Sequence, residues 1–167
     1  MPRHRGNNNY RVIAAGARRL GYSEIDANNM AINVAPRDGR NACDQIGFCL
    51  QGCKSGAKWS TAFTEVPRAE ATGRCEVRPE CMALQILTDD SGRASGVVYA
   101  DRDGAHHQQR ARVVCVAANG VETPRLLLNS ASSAFPEGLA NTSGMVGKNF
   151  MRHMYGFVYA EFERPVN

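Results

Sequence analysis

Apolar side chains recur at Val12, Ile13, Ala17 and Leu20 with helical spacing, which predicts a helix over Asn9–Leu20 that packs through this face. Asn9 can cap its start, and Gly21 can take the left-handed position just past its end. Residues 22–58 are rich in Asn, Asp, Pro and Gly and show no sustained period, the text of an extended excursion rather than regular structure. A short helix is predicted over Glu65–Ala71, with Pro67 in its first turn and Gly73 ending it.

The period then shortens to two. Cys75–Val77 runs through Pro79 into Met82–Leu87, Asp89–Gly92 turns the chain, and Ser95–Ala100 returns it. Asp101-Arg102-Asp103-Gly104 carries a second hairpin signal, with Gly where a positive φ is needed. The strand leaving that turn ends in Val113-Val114-Cys115-Val116-Ala117-Ala118, a continuous apolar run of the kind buried on both faces in a parallel sheet covered by helices. Ala117-Ala118-Asn119-Gly120 is then a small-residue turn, and Glu122-Thr123-Pro124 opens a helix carrying Leu126, Leu127 and Leu128. A buried strand, a tight turn and a helix N-terminus let backbone approach a ligand closely in doubly wound sheets. The same text also fits a plain strand-to-helix connection, and no G-x-G-x-x-G fingerprint occurs in the chain. The fold class is α/β, as an α+β mixture: a three-stranded antiparallel meander leading into a parallel-sheet strand.

At 167 residues the length suits one domain. The chain is 43% hydrophobic and 22% charged, the balance of a globular protein with a core. Its net charge of +4 is spread without a run of like charges, which argues against a nucleic-acid partner. No stretch approaches a transmembrane segment, and Val12-Ile13-Ala14-Ala15 is too short for a signal-peptide core. The opening Met-Pro-Arg-His-Arg reads as an arbitrary point within a longer protein.

Six cysteines are the compositional anomaly. Cys75, Cys81 and Cys115 are scattered, and free cysteines are most often buried small hydrophobes. Cys43, Cys49 and Cys53 form C-x5-C-x3-C. That spacing lacks the paired halves and fourth ligand of a structural zinc site, and disulfides would leave one thiol over. Soft thiolates in a tight loop suit an iron–sulfur cluster, and structural or unliganded cysteines are the equal alternative. Asp44, adjacent to Cys43, is a candidate fourth ligand with no further support. His106 and His107 are expected to face solvent.

Four segments in order resemble the glucose-methanol-choline (GMC) flavoprotein oxidoreductases. Gly120-Val121-Glu122-Thr123-Pro124-Arg125-Leu126-Leu127-Leu128-Asn129-Ser130 is similar to the family's second signature, although Ala131 stands where the family often has Gly. Gly138–Gly144 and Val146–His153 resemble its Leu-Ala-Asn-x-Ser-Gly and Val-Gly-x-Asn segments. Cys49–Lys58 is similar to a bacterial subgroup of gluconate and sorbitol-type dehydrogenases.

The resemblance implies an FAD enzyme that takes a hydride from an alcohol, sugar or sugar-acid carbon. It implies that Met82 presents backbone to the adenine and that Ala117, Ala118 and Asn119 approach the adenosine half, Asn119 tolerating the left-handed conformation of the family's usual Gly. It gives His153 a structural or flavin-proximal place rather than the catalytic base. In the related subgroup a similar spacing holds a [3Fe-4S] cluster that passes electrons to a cytochrome c-type subunit, which would make Cys43, Cys49 and Cys53 its ligands. The family's glycine-rich FAD turn and catalytic histidine segment have no counterpart here, so the chain is expected to be the middle of an enzyme and inactive alone. Residues 1–155 would be part of the FAD-binding domain, with the cysteine excursion at 40–60, meander and sheet strand at 74–118 and helix at 122–130. Residues 156–167 would begin the substrate-binding domain. The competing reading is a small iron–sulfur electron-transfer or metal-binding module built on Cys43, Cys49 and Cys53 alone.

Overall fold

The computed structural model describes residues 3–27, 30–157 and 159–165. Positions 158, 166 and 167 of the expected substrate-domain start therefore lie outside the described residues. The chain forms two compact units rather than one: Met1–Val77 with Phe157–Asn167, and Arg78–Gly156.

In the first unit, helix α1 spans Asn8–Arg19 and is capped by Asn7, whose side chain accepts the Tyr10 N–H, not by Asn9. Leu20 follows it and Gly21 takes φ 90°. The expected packing face does not form. Ile13 and Leu20 are 70% and 80% exposed, and the small Ala14 is the residue α1 buries. The excursion of residues 22–58 instead folds around a buried amide. Asn33 donates its N–H to Ala57 O at 2.9 Å and accepts the Cys43 N–H on its own carbonyl at 2.9 Å. Its Nδ2 donates to Arg37 O at 3.1 Å, while Arg40 donates to Ala57 O at 3.0 Å and to Asn33 Oδ1 at 3.2 Å. Polar side chains thus supply the order that an apolar period would supply elsewhere, since buried polar groups must find partners. A 3-10 turn at Thr61–Phe63 leads into α2, Glu65–Ala71, and Gly73 at φ 68° ends it.

The second unit is an antiparallel meander carrying a helix. Strands β1 (Met82–Thr88), β2 (Ala94–Ala100) and β3 (His106–Arg110) pair in sequence order. The residues before Met82 do not join β1: Cys75 and Cys81 are exposed, and Cys115 is too. None of the three scattered thiols is therefore a core residue. Asp89 and Asp101 make the two turns by accepting backbone N–H groups on Oδ1, from Ser91 and Arg93 and from Asp103 and Ala105. Gly96 is required where β2 meets β3, because a Cβ there would lie 2.5 Å from Gln109 O.

The apolar run after β3 does not become the doubly buried strand its sequence suggests. The ladder ends with Ala111 N–H donating to Ser95 O, and from there Val113 is 81% exposed. A strand exists only through a hydrogen-bonded neighbour, and none of the described residues pairs with 113–118. Helix α3 spans Asn119–Asn129, beginning three residues before Glu122. It packs on β1, burying Leu126 against a strand whose Ile86 is also buried.

Candidate functional site

The start of α3 is organised by Asn119. At φ 67° it occupies the left-handed region, and its Oδ1 accepts the N–H groups of Val121 and Glu122 at 2.8 and 3.1 Å. Two of the donors that a helix N-terminus offers an anion are thereby satisfied within the chain. Ala117 is exposed and Ala118 half-buried, so small side chains line the approach.

Met82 opens β1, half-exposed and paired with Ala100. A bulge follows at once: Ala83 pairs with Tyr99 and Gln85 with Val98, leaving Leu84 unpaired. Arg125 on α3 reaches this point. Its Nη2 donates to Ala83 O at 3.3 Å and lies 3.6 Å from Met82 Sδ, while Nε donates to Glu122 Oε2 at 2.5 Å. Asn119, Glu122, Arg125 and Met82 thus form one continuous series of contacts. It joins both stretches singled out for the adenosine half. Sequence reasoning missed Arg125, and its signal was present as the only cation in the first two turns of α3.

Ser130 was missed as well. Buried at the end of α3, it accepts the Ile86 N–H at 2.8 Å and donates to Leu126 O at 2.6 Å. His107 is exposed as expected but engaged: Nε2 lies 2.7 Å from Asp101 Oδ2 and its ring stacks on Tyr99 at 5.3 Å. His153 is exposed, its ring tilted against Tyr155 at 6.3 Å.

In the first unit, Cys43, Cys49 and Cys53 line one cavity of about 280 Å³ together with His4, Arg5 and Asp44. Two of the thiols accept backbone N–H groups, Cys43 from Gln45 and Cys53 from Lys58, each at 3.4 Å. The Lys58 N–H and then the Ser55 hydroxyl hold the Cys53 thiol below its ordinary pKa. Lys58 Nζ also donates to Cys49 O at 2.8 Å. The cavity gathers the three residues without joining their sulfurs: no group of three His, Cys, Asp or Glu side chains able to hold a metal occurs among the described residues. As placed, these side chains lend a [3Fe-4S] cluster no support.

Comparison with known proteins bears on both sites. The GMC oxidoreductase family profile matches residues 2–155. The chain is similar to a 2-methyl-1,2-propanediol dehydrogenase of Mycolicibacterium austroafricanum, 42% identical over 136 residues, covering 81% of this chain and 24% of that protein. It is 33% identical to the fructose dehydrogenase large subunit of Gluconobacter japonicus over 153 residues, covering 92% and 27%. It is 24% identical to the gluconate 2-dehydrogenase flavoprotein of Pantoea cypripedii, covering 98% and 28%. The chain spans about a quarter of the length of these relatives. A match reaching from residue 2 to residue 155 includes the meander and α3 as well as the cysteine loop, so the reading as a stand-alone iron–sulfur module gives way.

Proposed function

Because the chain belongs to the GMC oxidoreductases, we propose that it is a segment of an FAD-dependent dehydrogenase acting on the CH–OH group of a small alcohol, polyol or sugar. The observation that carries this is the contact series from Asn119 through Glu122 and Arg125 to Met82. The small residues Ala117, exposed, and Ala118, half-buried, with the turn at Asn119, fit the adenosine half of the cofactor, and the Met82 backbone fits the edge of its adenine. When bound, FAD supplies the hydride acceptor, and the protein supplies position. The residues of this chain would bind and orient the nucleotide end, remote from the reacting carbon, so none of them is assigned to proton transfer.

The names of the relatives support the substrate class: a diol, a ketose and a sugar acid all carry the CH–OH donor. One of those names describes a subunit of a larger enzyme, which supports a separate electron-accepting subunit. For that partner we propose a cytochrome of the c type. No helix among the described residues is long and apolar enough to cross a membrane.

The test is the full-length polypeptide that contains this segment, purified and scanned for flavin absorbance, then assayed with an artificial electron acceptor. Reduction of bound flavin by 2-methyl-1,2-propanediol, fructose or gluconate is expected. Residues 1–167 alone should show no turnover. A full-length protein that copurifies without flavin and cannot be loaded with it overturns the proposal.

A further inference from the structure

We infer that Arg125 is the positioning residue of the nucleotide-binding edge. This rests on the cofactor reading above and goes beyond it by naming the side chain that holds the two halves of the edge in register. Helix α3 meets β1 through two side-chain pins. Ser130, at its far end, accepts the Ile86 N–H. Arg125, near its start, donates to Ala83 O and touches Met82 Sδ. Both pins follow the same chain direction, so together they fix how far α3 is advanced along β1 as well as how close it lies.

The Arg125 pin falls where the strand is least constrained by its own ladder. The bulge at Leu84 interrupts pairing between Ala83 and Gln85, and a bulged segment is free to re-aim its backbone unless something external holds it. A guanidinium suits this task because its planar fork can serve several acceptors at once. Nε is committed to Glu122 Oε2, which leaves Nη2 oriented toward Ala83 and Met82. Glu122 in turn is fixed through its backbone N–H to Asn119 Oδ1. A displacement of the Ala117–Asn119 turn is thereby transmitted to Met82, and the reverse.

The full-length polypeptide containing this segment, uniformly 15N-labelled, stripped of flavin and titrated with adenosine, reports on both elements through the amide signals of Met82, Ala83 and Asn119. In the wild type, adenosine is expected to shift signals on β1 and at the start of α3 together. Arg125→Met should weaken binding about tenfold and uncouple the two sets of shifts, while Arg125→Lys, which keeps the charge without the fork, should recover only part of the affinity. Melting curves accompany each variant, because a general packing role would lower stability without uncoupling the shifts. Equal adenosine affinity in wild type and Arg125→Met, with both folded, overturns the positioning role alone. Absence of any adenosine-dependent shift at either element in the wild type overturns the cofactor reading beneath it.

Discussion

Replacing Ser130 by alanine removes one oxygen and should cost the second unit a large part of its cohesion. Ser130 is 2% exposed and Ile86 5%, so the Ile86 N–H that now donates to Ser130 Oγ at 2.8 Å would be left buried without an acceptor. A buried backbone donor deprived of its partner costs about 1–3 kcal/mol. The Leu126 carbonyl also loses its bond from the Ser130 hydroxyl. A net loss of about 2 kcal/mol is expected. In a unit of this size each kcal/mol moves the melting temperature by about 4–8 °C, so Tm should fall by roughly 10 °C. Ser132→Ala is the control: its exposed Oγ accepts the Phe135 N–H, and surface changes of this kind stay within about 0.5 kcal/mol. Thermal melts give the magnitude, and hydrogen exchange at the Ile86 amide identifies the cause. A Ser130→Ala protein within about 0.5 kcal/mol of wild type, with the Ile86 amide still protected, would refute the reasoning.

Asn119 both occupies the left-handed region and caps α3, so Asn119→Gly should cost a few tenths of a kcal/mol. Asn119→Ala, strained at that φ, should cost about 1 kcal/mol more, an ordering opposite to helix propensity that denaturant titration would read. Gly138→Ala combines φ 91° with a Cβ 2.8 Å from Leu127 O and Leu128 Cα, and a loss of about 2 kcal/mol or more is expected by the same titration. The Asp101 carboxyl is held below its ordinary pKa first by the His107 hydrogen bond and then by the Ala105 N–H. A depressed carboxylate stabilises above its unfolded pKa of about 3.9 and ceases to as pH falls through the lower folded value. The urea midpoint of wild type should therefore exceed that of Asp101→Asn at pH 6, and the difference should vanish toward pH 2. An unchanged difference across that range would show that the carboxylate is not the source.

Elements set by local rules were legible in the sequence. Helix α2 falls at Glu65–Ala71 as expected, and both meander turns sit where Asp and Gly announced them. What the sequence hid depends on partners distant along the chain. Val113 carries the apolar signal of a sheet interior, but that signal specifies a need for neighbours without supplying them. Cys75, Cys81 and Cys115 followed a composition rule that says nothing of the particular place each occupies. The excursion of residues 22–58 looked formless because its order comes from Asn33 and Arg40, and hydrogen bonds between polar side chains and backbone leave no period to read. At the candidate site, Asn119 could be foreseen from one residue's conformational tolerance. Arg125 stood out as the cation of α3's first two turns, but its role lies in a contact with a strand more than forty residues earlier, which no local pattern gives.

The meander also has a consequence in time. Every ladder partner in β1, β2 and β3 lies one tight turn away, so closing the sheet costs little loop entropy and should be fast. The bond between Ser130 and Ile86 spans 44 residues, and docking of α3 has to wait until that length of chain has been gathered in. If the sheet forms before the helix docks, interactions of Ser130 are absent from the rate-limiting barrier. Ser130→Ala should then hasten unfolding and leave the folding rate nearly unchanged.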